Sequence, residues 1–339
     1  MVSIVRGERL RVAIVGFGKM GVLHGALVNA TGLGEVVAVV DRERRILKAL
    51  DRLFRGKVKV VEDISELGGL GVDVVFVTTP IPTHYSLAIK SLDLDIKGLF
   101  VEKTLTDNVQ RSYEVSEKAS AMGVVNAVGF QKRFMPTFRR FREIINELEP
   151  SRIKEVRAYA YSEDFLGINR SVGLLEPRGG VLRDLGSHAI DLLTWIFGDE
   201  VKVLDTNIIT SGDAPCGEVV VKMVINGIDS VINTSWCKEG YRVPEVGVRV
   251  VTDRGEFFVN DYELIIKDSG GSKKIYSAEL EEPVKYLLGA PEYYLEVENF
   301  LKAVVNGGGF TGANFRDGLI ADSIIDEVIM TYHAHTSRR

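Results

Sequence analysis

The sequence predicts an α/β protein in which a doubly wound parallel sheet is followed by a domain built on a mostly antiparallel sheet. Two patterns predict this. Over the first 130 residues, short apolar runs alternate with helix-forming stretches, and strands separated by helices pair in parallel. Beyond Phe130, alternating apolar–polar runs succeed one another, with Asn226-Gly227 and Arg254-Gly255 between them as hairpin signals. The expected domains are 1–130 and 131–339, with C-terminal helices able to pack back on the first.

The first element is the apolar run Val12–Val15, a buried strand. It opens into Gly16-Phe17-Gly18-Lys19-Met20-Gly21, which fits G-x-G-x-x-G, and a helical stretch follows. Val36–Val40 is the second strand and ends in Asp41, 41 − 21 = 20 residues after Gly21. Helix Arg42–Phe54, strand Val58–Val61 and a short capped turn at Asp63–Leu67 come next. Strand Val72–Thr78 is broken by Thr79-Pro80. Helix Tyr85–Leu92, strand Gly98–Val101, helix Val109–Met122 and strand Val124–Val128 complete the alternation. The second half starts with a basic amphipathic helix, Phe134–Leu148. Strands are expected at Ile153–Glu163, Val201–Thr210, Glu218–Ile225, Asp229–Cys237, Val246–Thr252, Glu256–Val259 and Glu263–Lys267. A strongly polar helix-forming stretch, Arg183–Phe197, interrupts them, and helices Glu292–Val305 and Asp317–His333 close the chain.

Composition narrows the function class. The 339 residues carry a net charge of −5, so no broad basic field invites nucleic acid. No apolar run reaches the roughly 18 residues of a membrane span. Cys216 and Cys237 form no C-x-x-C and no disulfide framework, which suits a reducing, cytoplasmic location. The N-terminus lacks the apolar core of a signal peptide.

Strand, Gly-rich turn, helix, second strand and terminal acid together read as a dinucleotide site. Gly16 permits the tight turn, Gly18 the approach of a pyrophosphate, and Gly21 close helix–strand packing. The helix N-terminus offers free N–H groups to the phosphates. Asp41 can accept hydrogen bonds from the adenosine ribose; it would repel a 2′-phosphate and so favours NAD. Arg42 beside it can stack on adenine or meet a phosphate, which keeps NADP open. In an open α/β sheet ligands bind beyond the carboxyl ends of the strands. Thr79, Pro80, His84, Glu102, Lys103 and Gln131 follow strand ends and join the cofactor-binding set. Lys103 is the candidate for proton transfer, since a cationic nicotinamide nearby would lower an ammonium pKa; a surface Lys paired with Glu102 is the equal alternative.

The second constellation runs from Gly179-Gly180 to Asp191. On a helix, Asp184, His188 and Asp191 fall at i, i+4 and i+7 and share one face. A carboxylate four residues before a His can orient and tune the imidazole. A solvated helix face and a metal site compete with this reading, but His24, His84, His333 and His335 show no ligand spacing with it, and no metal is expected. Arg170, Arg178 and Arg183 stand near this stretch and suit either a substrate anion or the surface.

These motifs together resemble the glucose–fructose oxidoreductase / inositol dehydrogenase / rhizopine catabolism (Gfo/Idh/MocA) family over nearly the whole chain. Its G-x-G-x-x-G is matched by Gly16, Gly18 and Gly21. Its A-T-P-N-x-x-H is matched by Thr79, Pro80 and His84, and its E-K-P by Glu102 and Lys103. V-G-F-x-x-R-F-x-P is matched in full by Val128–Pro136. G-G-x-x-x-D-x-G-x-H-x-x-D is matched by Gly179, Gly180, Asp184, Gly186, His188 and Asp191. The resemblance implies a Rossmann domain followed by an α+β domain with a large open, mostly antiparallel sheet, whose face makes homodimers or homotetramers. It implies hydride transfer between NAD(P) and a carbinol carbon of a sugar, cyclitol or nucleotide-sugar. Lys103, Asp184 and His188 become the catalytic and substrate-orienting groups, with Lys103 or His188 taking the hydroxyl proton. A non-catalytic sensing regulator and an NAD-dependent glycoside hydrolase on the same fold are the alternatives.

Two positions depart from the family pattern. The E-K-P proline is Thr104, so a trans peptide is expected after Lys103 in place of the family's frequent cis bond. The Asn of A-T-P-N is Ile81, which removes a polar contact to the cofactor.

Overall fold

A computed structural model of the chain describes residues 9–164, 180–210, 217–280 and 291–336. Its contacts divide the chain into two compact units. The first comprises Met1–Gln131 and Tyr286–Arg316, the second Lys132–Lys285 and Asp317–Arg339.

Six short strands rich in Val, Ile, Leu and Phe build the first unit: β1 (Leu10–Val15), β2 (Gly34–Val40), β3 (Lys59–Val61), β4 (Val74–Val77), β5 (Gly98–Val101) and β6 (Val125–Val128). They form one sheet in the order β3-β2-β1-β4-β5-β6, every pair parallel. β4 and β5 are buried at every residue, as apolar strands covered on both faces must be. Helices α1 (Lys19–Thr31), α2 (Arg44–Phe54), α3 (His84–Leu92) and α4 (Val109–Ala121) make the crossovers. The register puts Val15 opposite Val40 and Val77, Val77 opposite Val101, and Val101 opposite Val128. Gly16, Asp41, Thr78, Glu102 and Gly129 therefore emerge together at one edge of the sheet.

A C-terminal helix, α7 (Pro291–Asn306), belongs to this unit and closes its core. Phe76 and Phe100 stack with ring centroids 4.7 Å apart, and Phe300 of α7 meets both edge-on. A Cβ on Gly98 would lie 2.6 Å from Val304, so the start of β5 needs glycine for α7 to seat. Each such ring contributes roughly 1.5–3 kcal/mol by leaving water.

The second unit carries an eight-stranded sheet: β7 (Ile153–Tyr161), β8 (Val201–Thr210), β9 (Gly217–Ile225), β10 (Ile228–Ser235), β11 (Glu245–Thr252), β12 (Gly255–Asn260), β13 (Glu263–Asp268) and β14 (Gly271–Tyr276). The order is β14-β13-β12-β11-β7-β10-β9-β8. All pairs are antiparallel except β7 with β10. Alternation sorts the two faces: Val156, Ala158 and Ala160 are buried, while Arg157 between them is exposed. α5 (Pro136–Asn146) buries Phe138, Phe141 and Ile145. α6 (Ser187–Phe197) and α8 (Phe315–Thr336) are the remaining helices, α8 belonging here from Asp317 onward. Asn226 and Gly227, at φ 46° and 79°, make the expected tight hairpin.

Three expectations are corrected. β14 was not anticipated, because Gly-Ser-Lys-Lys-Ile-Tyr lacks apolar alternation; it forms by pairing with β13. Arg183–Phe197 is not a strongly polar stretch but a buried one, with Arg183, His188 and Asp191 all 6% exposed or less. Cys237 is disulfide-bonded, and no free cysteine is found among the described residues; Cys216 lies outside them. No described helix is long and apolar enough to cross a membrane.

Candidate active site

The dinucleotide turn has the shape its glycines promise. Gly16 takes φ +89°, and a Cβ there would lie 2.5 Å from Thr79 Cγ2. A Cβ on Gly21 would lie 2.1 Å from the Gly16 carbonyl oxygen, so helix and turn touch backbone to backbone. At Gly18 a Cβ would meet nothing within 4 Å. Gly18 is the N-cap of α1 and no side chain caps the helix, so its first N–H groups face an open approach. Phe17, Lys19 and Met20 complete the turn, and Lys19 is exposed. This geometry fits a pyrophosphate. Thr78, which the sequence reading missed, donates from Oγ1 to the Gly16 carbonyl at 2.6 Å and holds the turn on β4. Asp41 accepts from Phe17 N and Glu43 N, each at 2.8 Å, and each oxygen keeps a second lone pair for a ribose hydroxyl. Arg42 is exposed beside it and Pro80 is exposed after Thr79.

The residues around Lys103 are arranged with less freedom. Glu102 is buried, and its Oε1 accepts from His24 Nε2 at 2.6 Å. Its Oε2 accepts from the Lys103 backbone N–H at 3.3 Å. Burial pushes the Glu102 pKa up, but the hydrogen bond and charge of His24, with Lys103 and His84, hold it below the ordinary value. His84 is wholly buried, with Nδ1 2.7 Å from Thr104 O and Nε2 2.7 Å from Thr79 O. Burial lowers its pKa against the pull of those two carbonyls. Predicted as cofactor contacts, Glu102 and His84 both turn their polar atoms inward, onto the loops that carry Lys103 and Thr79. Gln131 likewise donates to Tyr293 Oη of α7 at 2.9 Å. The Lys103–Thr104 peptide is cis, which corrects the expected trans bond. Around it, Thr104 is fully buried, its carbonyl meets His84, and its Oγ1 donates to Thr106 O at 2.8 Å. Lys103 is half-buried between neighbours that are buried.

In the second unit the predicted triad divides. A π-helical turn, Leu182–Gly186, leads into α6 and shifts Asp184 off simple α-helical spacing. Asp184 Oδ2 accepts from Trp236 Nε1 at 3.1 Å, and His188 follows on α6. Asp191 joins neither. It is held by Arg133 through Nε and Nη2 at 2.7–3.1 Å, and Asp317 accepts from the same guanidinium at 3.1 Å. Burial raises the Asp191 pKa to about 6, with Arg133 opposing. Arg183 is neither a substrate arginine nor a surface one: it is 3% exposed and paired with Asp322 and Asp326 of α8. Arg170, Arg178 and Gly179 lie outside the described residues.

Two family models match this chain. One, described as an oxidoreductase family with an NAD-binding Rossmann fold, matches residues 10–130. The other, the GFO/IDH/MocA C-terminal domain, matches residues 138–258. The chain belongs to the Gfo/Idh/MocA oxidoreductase family. Its Rossmann unit is an NAD-binding one, and it is an NAD-dependent oxidoreductase. An inositol 2-dehydrogenase from Mycolicibacterium gilvum is 25% identical over 328 residues, 93% of this chain and 88% of that one. A scyllo-inositol 2-dehydrogenase (NAD(+)) from Bacillus subtilis is 29% identical over 57% of this chain and 56% of its own length. The fold is shared with an NAD-binding oxidoreductase from Klebsiella pneumoniae at TM-score 0.82 and 19% identity, covering 98% of both chains. It is shared too with levoglucosan dehydrogenase in complex with NADH and levoglucosan, at TM-score 0.79, 18% identity and coverage of 96% and 98%.

Proposed function

We propose that this family member oxidises a secondary hydroxyl of a cyclitol or sugar with NAD, and reduces the ketone in reverse. The observation that carries the reading is Lys103, a half-buried lysine held between buried Glu102 and buried Thr104 at the exit of β5. The named inositol dehydrogenases among its relatives support a polyol substrate.

In this reading the turn Gly16–Gly21 holds the pyrophosphate, Asp41 the adenosine ribose, and Arg42 the adenine. Thr79 and Pro80 line the nicotinamide side. When bound, the nicotinamide supplies the hydride acceptor for the carbinol carbon. In its neutral amine form Lys103 takes the hydroxyl proton at Nζ, and the carbinol, losing its hydride, becomes a carbonyl. His188 donates to or accepts from the reacting hydroxyl, and Asp184, fixed by Trp236, orients a hydroxyl of the substrate. Glu102 and His84 serve this set from beneath by shaping the loops. The open sheet face, where Tyr159 and Tyr161 stack at 4.9 Å among Arg157, Arg249 and Glu256, is the surface for self-association into dimers or tetramers.

The test is NADH formation on myo-inositol, scyllo-inositol, aldoses and UDP-N-acetylglucosamine, comparing wild type with Lys103→Met and His188→Ala. Turnover of at least one polyol, nearly abolished in both variants while NADH binding persists, is expected. Wild-type rates in the variants overturn the residue roles; released sugar without net NADH points to glycoside hydrolysis, and binding without turnover to a sensor.

A further inference from the structure

His24 sits on α1, the helix whose N-terminus faces the dinucleotide turn, yet it does not face that turn. It is wholly buried in an aromatic box of Phe76, Phe100 and Tyr293, with ring centroids 4.9–6.3 Å away. Its Nε2 meets Glu102 Oε1 at 2.6 Å, while Nδ1 has no hydrogen-bond partner among the described residues. The ring thus spends its one polar contact on Glu102. Glu102 in turn braces its own loop and one other. Its Oε2 takes the Lys103 N–H, and it packs so closely on the loop after β6 that a Cβ on Gly129 would come within 3.0 Å of Oε2.

We propose that His24 and Glu102 are a positioning pair that sets both the placement and the charge environment of Lys103. Neither touches substrate. The inference rests on reading Lys103 as the proton-transfer residue. Two consequences follow from the geometry. First, the helix that receives the pyrophosphate is bonded, through one imidazole and one carboxylate, to the peptide that carries Lys103. Second, the hydrogen bond from His24 is the largest of the influences that keep the carboxylate ionised beside Lys103. A buried carboxylate that loses its donor is more readily protonated, and Lys103 then loses a neighbouring negative charge. The charged groups around Glu102 are His24 from α1, Lys103 itself and His84 from α3. His84 approaches from the Thr104 side and is untouched by the His24 change.

The experiment compares wild type, His24→Phe, His24→Gln and Glu102→Gln. Phe keeps the aromatic packing and deletes the donor, Gln at 24 restores an N–H donor, and Gln at 102 deletes the charge. Trace acetylation with acetic anhydride across pH, with the Lys103 peptide quantified by mass spectrometry, reads Lys103 without any substrate. NADH affinity is read by fluorescence and turnover with myo-inositol and NAD. The Lys103 labelling midpoint should fall by about one pH unit in His24→Phe and Glu102→Gln. Turnover should fall about tenfold or more in both, with NADH affinity little changed, because small misplacements of a reacting group are costly. His24→Gln should restore both readouts. Unchanged labelling and turnover in His24→Phe and Glu102→Gln overturn the proposal. So does joint loss of folding and NADH binding in His24→Phe that His24→Gln fails to rescue, since that is a purely structural role. If wild type turns over no polyol but the labelling shifts as stated, the functional reading fails and the pairing stands. If Lys103→Met is inactive but labelling does not shift, the functional reading stands and the pairing fails.

Discussion

Arg133 and Asp191 form a buried bidentate ion pair, 5% and 1% exposed, with Nη2 to Oδ1 at 2.7 Å. The pair joins the turn before α5 to the middle of α6, and so links the two longest sequence motifs in the chain. Removing one partner leaves a buried charge uncompensated. Arg133→Met should therefore cost about 3–5 kcal/mol in urea denaturation. A loss under about 1 kcal/mol would mean the pair contributes no more than a surface bridge does.

The glycines of the dinucleotide turn should separate binding from folding. Gly18→Ala places a methyl in open space and should leave the melting temperature near wild type while weakening NADH binding. Gly21→Ala drives a methyl to 2.1 Å from the Gly16 carbonyl and should destabilise the unit by about 1–3 kcal/mol. Thermal melts with NADH titrations check both; equal effects of the two substitutions on binding and melting would contradict the assignment of Gly18 to the phosphate.

Trp236 fixes Asp184 by its indole N–H. Trp236→Phe removes a hydrogen bond to a charged group, typically about 1.5–3 kcal/mol. If Asp184 orients substrate, kcat/KM for the best polyol falls by about tenfold or more with NADH affinity unchanged. Unaltered steady-state kinetics in this variant would remove Asp184 from the substrate set.

Asp41 should govern the choice of dinucleotide. Both oxygens already take backbone N–H groups, so the carboxylate is held in place at the end of β2. Wild type should bind NADH more tightly than NADPH, and Asp41→Ser should narrow or invert that ratio, leaving Arg42 to meet a 2′-phosphate. Fluorescence titration of both nucleotides decides this; an NADPH preference in wild type contradicts it.

Acid stability should carry the signature of Glu102. Its pKa is lowered in the folded chain relative to 4.5, so its contribution is present above that value and is lost as pH falls through the folded one. The stability gap between wild type and Glu102→Gln should be full at neutral pH and shrink below about pH 4.5. Melting temperatures of the two across pH measure it, and a gap that widens on acidification would reverse the assigned sign.

Fold class was readable because its signals are local. The strands β4 and β5 are apolar at every position, and Asn226-Gly227 carries its turn geometry in two residues. Gly16, Gly21 and Asp41 were likewise legible, since chain spacing along strand, turn and helix dictates where they fall. β14 was not, because its polar residues are strand only by virtue of the partner they pair with.

The triad Asp184, His188 and Asp191 shows the limit most clearly. Helical spacing put all three on one face, but a π-helical turn displaces Asp184 and the Arg133 guanidinium claims Asp191. The same holds around Lys103, where Thr104 in place of proline suggested a trans peptide and buried contacts to His84 and Thr106 accompany a cis one. Order along the chain was enough for the six-stranded sheet, its Gly-rich turn and its acid, because neighbours in sequence set their own backbone geometry. Which polar side chains bond one another was left to the folded state. His24 with Glu102, Trp236 with Asp184, and Arg183 with Asp322 lie 78, 52 and 139 residues apart, and only packing brings such groups within hydrogen-bond reach.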